Sequence, residues 1–141
     1  MLFGEITGHT ISLNRFGEIV KLHWEQIPSR CNNVSLDSCI VMPNHLHCII
    51  IINTQKTNVN VGAGYQPAHN KFITLPEIIR NFKTSSSTSI NKLRSSRGVP
   101  VWQRNYFDRV IRNDEELYVI REYIKNNINN WKFDIENPNL F

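Results

Sequence analysis

With 141 residues the chain can bury one sizeable core but not two, so a single domain over residues 1–141 is expected. Its 40% hydrophobic and 20% charged residues are ordinary globular composition and exclude a disordered or fibrous chain. No apolar run approaches the ~18 residues that cross a bilayer, and the start Met1-Leu2-Phe3-Gly4-Glu5 has no leader pattern, so a cytoplasmic protein without membrane contact is expected.

Glu5 to Ile11 reads as a short hairpin around Gly8, because apolar residues flank a turn residue at strand spacing. Asn14 then caps a helix with Phe16, Val20, Leu22, His23 and Ile27 as its stripe, ended by Pro28. Val34 to Met42 reads as a strand, Pro43-Asn44 as a turn, and His45 to Ile52 as a second strand. Residues 53–73, rich in Asn and Gly, form an excursion loop. Thr74-Leu75-Pro76-Glu77 matches a capping box and opens a helix to Leu93, with a break allowed in its Ser-rich stretch 85–89. Val99 to Ile111 mixes β-branched and aromatic residues and reads as a further strand. Asn113 or Asp114 caps the last helix, with Leu117, Ile120, Ile124, Ile128 and Trp131 as its apolar stripe. This order implies an α+β fold with helices on one side of an antiparallel sheet.

Cys31, Cys39 and Cys48 are odd in number and include no CxxC pair, so they are expected to be buried free thiols. The 16 Lys and Arg against 12 Asp and Glu give a net charge of +4, and the excess lies in residues 71–112, which favours a polyanionic partner.

The segment Met42-Pro43-Asn44-His45-Leu46-His47 carries the clearest chemistry. Residues two apart on a strand share a face, so His45 and His47 present two imidazoles side by side, able to hold one divalent metal. The same alternation also fits a solvated strand face, and a structural zinc site with Cys48 is a third alternative, weakened because Cys48 points the other way. On the last helix Tyr123 and Asn127 are i and i+4 neighbours. By spacing alone they read equally as a half-buried boundary ring and a solvated amide.

Taken together, Met42 to His47, Val101-Trp102-Gln103-Arg104-Asn105-Tyr106 and Arg121-Glu122-Tyr123-Ile124-Lys125-Asn126-Asn127 resemble the single-tyrosine HUH transposases of the insertion-sequence-200 type, and within them the REP-associated tyrosine transposases. The likeness extends over most of the chain. It implies a ferredoxin-like or RRM-like antiparallel sheet with helices packed on it. It also implies Tyr123 as nucleophile, with His45, His47 and Asn127 holding Mg²⁺ or Mn²⁺. The activity implied is metal-dependent cleavage and strand transfer of single-stranded or hairpin DNA through a 5′-phosphotyrosine. Relatives of this type include monomers and homodimers that exchange the tyrosine helix.

Within the basic stretch, Arg80, Lys83, Arg104 and Arg112 are the candidates for DNA phosphate contacts, and Tyr106 for base stacking. Trp102 reads rather as core. Two departures stand out: Ile128 occupies the place where the family usually has proline, and the family's usual first strand does not precede Leu2-Phe3. An N-terminally truncated domain lacking that strand is therefore the expectation, with an inactive remnant that only binds hairpin DNA as the alternative.

Overall fold

The structure, a computed structural model, describes residues 1–53, 73–134 and 137. The excursion loop lies almost entirely outside the described residues. The fold is α+β, with two antiparallel hairpins and four α-helices among the described residues.

The first hairpin pairs β1 (Gly4–Thr7) with β2 (Thr10–Leu13). Gly8 makes the turn at φ +63°, a left-handed conformation that glycine adopts without steric cost. Asn14 then caps α1 (Arg15–Glu25): its side-chain oxygen accepts from the backbone N–H of Phe16 at 2.8 Å and Gly17 at 3.1 Å, satisfying two donors that a helix start leaves orphaned. Gly17 is required for close approach, since a Cβ there would lie 2.1 Å from the carbonyl oxygen of Phe3. The buried stripe of α1 is Val20 and Trp24, while Leu22, expected to face the core, is exposed. Pro28 begins rather than ends an element, sitting in the first turn of α2 (Ile27–Arg30), where its missing N–H is harmless.

β3 (Val34–Val41) and β4 (Leu46–Ile52) form the second hairpin, with a bulge between Leu36 and Cys39. Its alternation sorts two environments. Leu46, Cys48, Ile50 and Ile52 pack onto the core formed by Phe3, Val20, Trp24, Ile27, Val34, Val41, Ile78, Phe82 and Ile90, so the odd-numbered residues of β4, His47 among them, face the other way. Cys39 and Cys48 stand opposite each other in the ladder and are joined as a disulfide. This corrects the expectation of three free thiols; only Cys31 is free among the described residues. Strand register brings the two sulfurs together, and spacing along the chain does not reveal register.

α3 (Leu75–Leu93) is opened by Thr74, whose N–H and hydroxyl both donate to the Glu77 carboxylate at 3.0 and 2.8 Å. It runs unbroken through the Ser- and Thr-rich stretch, where hydroxyls turn back onto the preceding turn, Ser86 to the Phe82 carbonyl at 2.7 Å and Thr88 to the Thr84 carbonyl at 2.8 Å. α1 and α3 pack together, with the Trp24 and Phe82 rings edge to face at 5.6 Å.

The stretch 99–111 is not a strand. Side chains of α3 take up its carbonyls instead: Asn91 and Arg94 donate to Val99, and the Lys83 ammonium donates to Gln103 at 2.9 Å and Asn105 at 2.8 Å. Trp102 is half-buried against Phe3 and Phe82, and its indole N–H donates to Ser86 at 2.9 Å. α4 (Asp114–Asn130), capped by Asn113 accepting from the Glu116 N–H, leads into a short 3-10 turn at Trp131–Phe133.

The expected α+β class, with helices packed on antiparallel strands, is what the structure has, and it is compatible with a ferredoxin-like fold; two details differ. Among the described residues the strands form two separate two-stranded ladders and not one sheet. The N-terminal hairpin is joined to the second through a single backbone bond, Phe3 N–H to the Pro43 carbonyl at 2.8 Å. Helices lie on both faces of the β3–β4 hairpin and not on one, since α1 and α3 cover the even face of β4 while Tyr123 of α4 meets His47 on the odd face.

Candidate metal and nucleophile site

The site forms where α4 crosses the odd face of the second hairpin. Pro43 and Asn44 make a tight turn closed by the Met42 N–H on the His45 carbonyl at 2.9 Å, which places His45 just before β4 and His47 within it. Their Nε2 atoms converge to 2.9 Å. The Nδ1 of His45 is engaged by the Asn44 side-chain oxygen at 2.8 Å, which leaves Nε2 as the nitrogen turned into the site. Burial, and next the positive charge His45 carries when protonated, push the pKa of His47 below its ordinary value, with Asp134 opposing. A neutral imidazole is the form that binds metal.

The facing wall comes from one stripe of α4 continued into the 3-10 turn that follows it. Tyr123, Asn127 and Trp131 are four residues apart and so share a face. The Tyr123 ring stands edge-on to His47 with centroids 5.5 Å apart, and the Trp131 ring lies 6.0 Å from His45. Tyr123 is 52% exposed and Asn127, between the two contacts, is only 2% exposed. The Asn127 side-chain NH₂ is buried without a hydrogen-bond partner. An unsatisfied buried amide donor costs about 1–3 kcal/mol.

α4 is pinned to the hairpin by Arg121, whose Nε donates to Asp37 Oδ1 at 2.9 Å while Nη2 bonds Oδ2. Asp37 sits in the β3 bulge, which turns its carboxylate toward the helix. The Arg121 hydrogen bond first, then those from Ser38, hold the Asp37 carboxyl well below the usual carboxylate range against the opposing effect of burial.

Asp134, which the sequence reading passed over, also belongs here. It follows the 3-10 turn, and its Oδ2 lies 3.8 Å from His45 Nε2. His45, His47 and Asp134 each offer a ligand atom, all within 4.8 Å of one another. Its only sequence signal is an acidic residue beyond the end of the tyrosine helix.

The candidate DNA contacts are distributed otherwise. Arg80, Arg104 and Arg112 are exposed. The Lys83 ammonium, in contrast, is spent on the carbonyls of Gln103 and Asn105 and lies 5.8 Å from the centroid of the half-exposed Tyr106 ring. Burial lowers the pKa of Lys83, so it acts first as a clip for the segment that carries Arg104. A shallow groove of about 470 Å³ between α3 and that segment is lined by Thr84, Ser87, Thr88, Asn91 and Trp102. It lies apart from the histidines.

The site thus defines an α+β protein in which a histidine pair, a carboxylate and a tyrosine-bearing helix converge. No protein-family model and no solved structure matches the chain. An uncharacterized protein of Haemophilus influenzae is 38% identical over 138 residues, spanning 94% of this chain and 76% of that protein. The chain belongs to the same family as that protein. Among the described residues, no helix is long and apolar enough to cross a membrane.

Proposed function

We propose that the chain nicks single-stranded DNA and transfers the cut strand, with Tyr123 as the nucleophile and a divalent ion held by His45, His47 and Asn127. The observation that carries this reading is the juxtaposition of an exposed tyrosine with two imidazoles whose Nε2 atoms converge to 2.9 Å. The resemblance of the sequence to single-tyrosine HUH transposases, REP-associated ones among them, also supports it.

The residues fit a bound ion, since converging imidazole nitrogens and a carboxylate are a suitable donor set, to which Asn127 would add its amide oxygen. Such an ion, Mg²⁺ or Mn²⁺, would polarise a nonbridging oxygen of the scissile phosphate. The chain's own groups supply the rest. The Tyr123 hydroxyl gives up its proton to solvent as its oxygen attacks phosphorus. A bond from phosphorus to the tyrosine oxygen forms, the bond to the 3′ oxygen breaks, and that oxygen leaves as a 3′-hydroxyl after taking a proton. The resulting 5′-phosphotyrosine conserves the phosphodiester bond, so another 3′-hydroxyl can reverse the step and join strands without ATP. Arg121 and Asp37 orient the helix that presents Tyr123, and exposed Arg80, Arg104 and Arg112 contact the DNA backbone.

The test incubates the protein with end-labelled single-stranded hairpins and Mn²⁺ and resolves the products on a denaturing gel. A covalent adduct absent from Tyr123→Phe is expected. Hairpin binding without any adduct, equal in wild type and Tyr123→Phe, would replace this reading with a binding-only protein.

A further inference from the structure

We propose that Asp134 is a direct ligand of the ion, turning the histidine pair into a two-histidine, one-carboxylate site that prefers a transition-metal dication such as Mn²⁺ or Co²⁺ to Mg²⁺. The inference rests on the reading that His45 and His47 hold a metal, and it adds a ligand and a metal class to that reading.

The geometry separates a ligand from a supporting residue. A carboxylate that merely orients a metal-bound histidine bonds the ring nitrogen remote from the metal. On His45 that position is already filled, because Nδ1 is held by the Asn44 side chain at 2.8 Å. Asp134 instead approaches Nε2, the nitrogen that also faces His47, at 3.8 Å. Three donor atoms therefore surround one point. Ligands about 2.1 Å from a common ion stand roughly 3.0–3.4 Å from each other. The observed separations of 2.9 Å between the imidazoles, 3.8 Å to the carboxylate and at most 4.8 Å overall need only small side-chain movements to meet that spacing.

The backbone under Asp134 is built rather than loose. Its N–H donates to the Trp131 carbonyl at 3.1 Å, and its own carbonyl accepts from the Asn137 N–H at 2.9 Å. The buried Asn137 side chain returns to the Trp131 carbonyl at 3.0 Å. Trp131 in turn lies against His45, so the turn that carries the carboxylate is packed on the ring it would share an ion with. Two imidazoles suit a borderline transition-metal ion better than Mg²⁺, which favours an all-oxygen shell and keeps its waters.

The test needs no DNA. Metal-free wild type, Asp134→Asn and Asp134→Ala are titrated calorimetrically with Mn²⁺ and Mg²⁺, and with Co²⁺ followed by visible absorption, after circular dichroism has shown equal folding. Wild type should bind Mn²⁺ more tightly than Mg²⁺, and both variants should lose tenfold or more in Mn²⁺ affinity with an altered Co²⁺ spectrum. Unchanged affinity and an unchanged spectrum in both variants would overturn the proposal, as would a wild type that prefers Mg²⁺ or binds neither ion. Should Asp134→Ala fold poorly, the isosteric Asp134→Asn decides alone. The nicking reading fails separately: Mn²⁺ binding that depends on Asp134 in a protein forming no DNA adduct would sustain the ligand and remove the reaction. Metal-dependent adduct formation with Asp134-independent binding would do the reverse.

Discussion

Replacing Asn127 by Leu should stabilise the metal-free protein while weakening its response to metal. Asn127 is 2% exposed and its side-chain NH₂ has no partner, a state that costs about 1–3 kcal/mol relative to a satisfied or apolar group. Leucine has the same branching though a larger volume, removes that unsatisfied donor, and is favoured over asparagine in a helix by a few tenths of a kcal/mol. Against this stands some overpacking where the branched side chain meets the Tyr123 and Trp131 turns. The net expectation is a gain of about 1–2 kcal/mol, or roughly 3–8 °C in Tm for a domain of this size. The assay is thermal denaturation in EDTA and in excess Mn²⁺. In EDTA the variant should melt above wild type; in Mn²⁺ the wild type should rise by an amount set by its affinity, and the variant by less. A variant that melts below wild type in EDTA yet keeps the full Mn²⁺ shift would show that Asn127 is a structural residue and refute the reasoning.

Ser86→Ala should cost about 1 kcal/mol, because it strips the half-buried Trp102 indole N–H of its acceptor; chemical denaturation followed by tryptophan fluorescence measures it. Asp37→Asn should destabilise the protein near neutral pH by loosening the Arg121 clip. Since the folded Asp37 carboxyl lies below its unfolded value near ~3.9, the contribution is present above about pH 4 and is lost as pH falls through the folded value. The Tm gap between wild type and Asp37→Asn should therefore hold steady down to about pH 4 and narrow progressively as pH falls further, and a gap that does not narrow at all below about pH 4 would remove the ion pair from the account. Arg104→Ala should weaken single-stranded DNA binding and flatten its salt dependence by about one phosphate contact, read from log affinity against log salt; an unchanged slope would take Arg104 off the interface.

Local signals in the sequence were legible where one residue's chemistry decides one element. Asn14 and Asn113 as caps, Thr74 with Glu77, Gly8 in its turn and the alternation of His45 and His47 all rest on interactions within a few residues, and each appears as read. What escaped depended on distant partners. The Cys39–Cys48 bond follows from register across the ladder. Residues 99–111 have strand-like composition, but their carbonyls go to α3 side chains in place of a neighbouring strand. Asp134 joins the histidines through the turn after α4, and Arg121 joins Asp37 across 84 residues; no spacing along the chain signals either contact. Tyr123 and Asn127 were legible as a pair on one helical face, but their position between His47 and Trp131 required the fold.

The central claim is that Tyr123 attacks DNA beside a metal-holding histidine pair. The most direct measurement follows covalent attachment of the protein to a labelled single-stranded hairpin in Mn²⁺, with Tyr123→Phe, His47→Ala and EDTA controls of equal folding. The account predicts an adduct of protein and the 5′ end of the cleaved strand in wild type alone, lost in all three controls. An adduct that persists in Tyr123→Phe, or no adduct with wild type that binds both the hairpin and Mn²⁺, would contradict it.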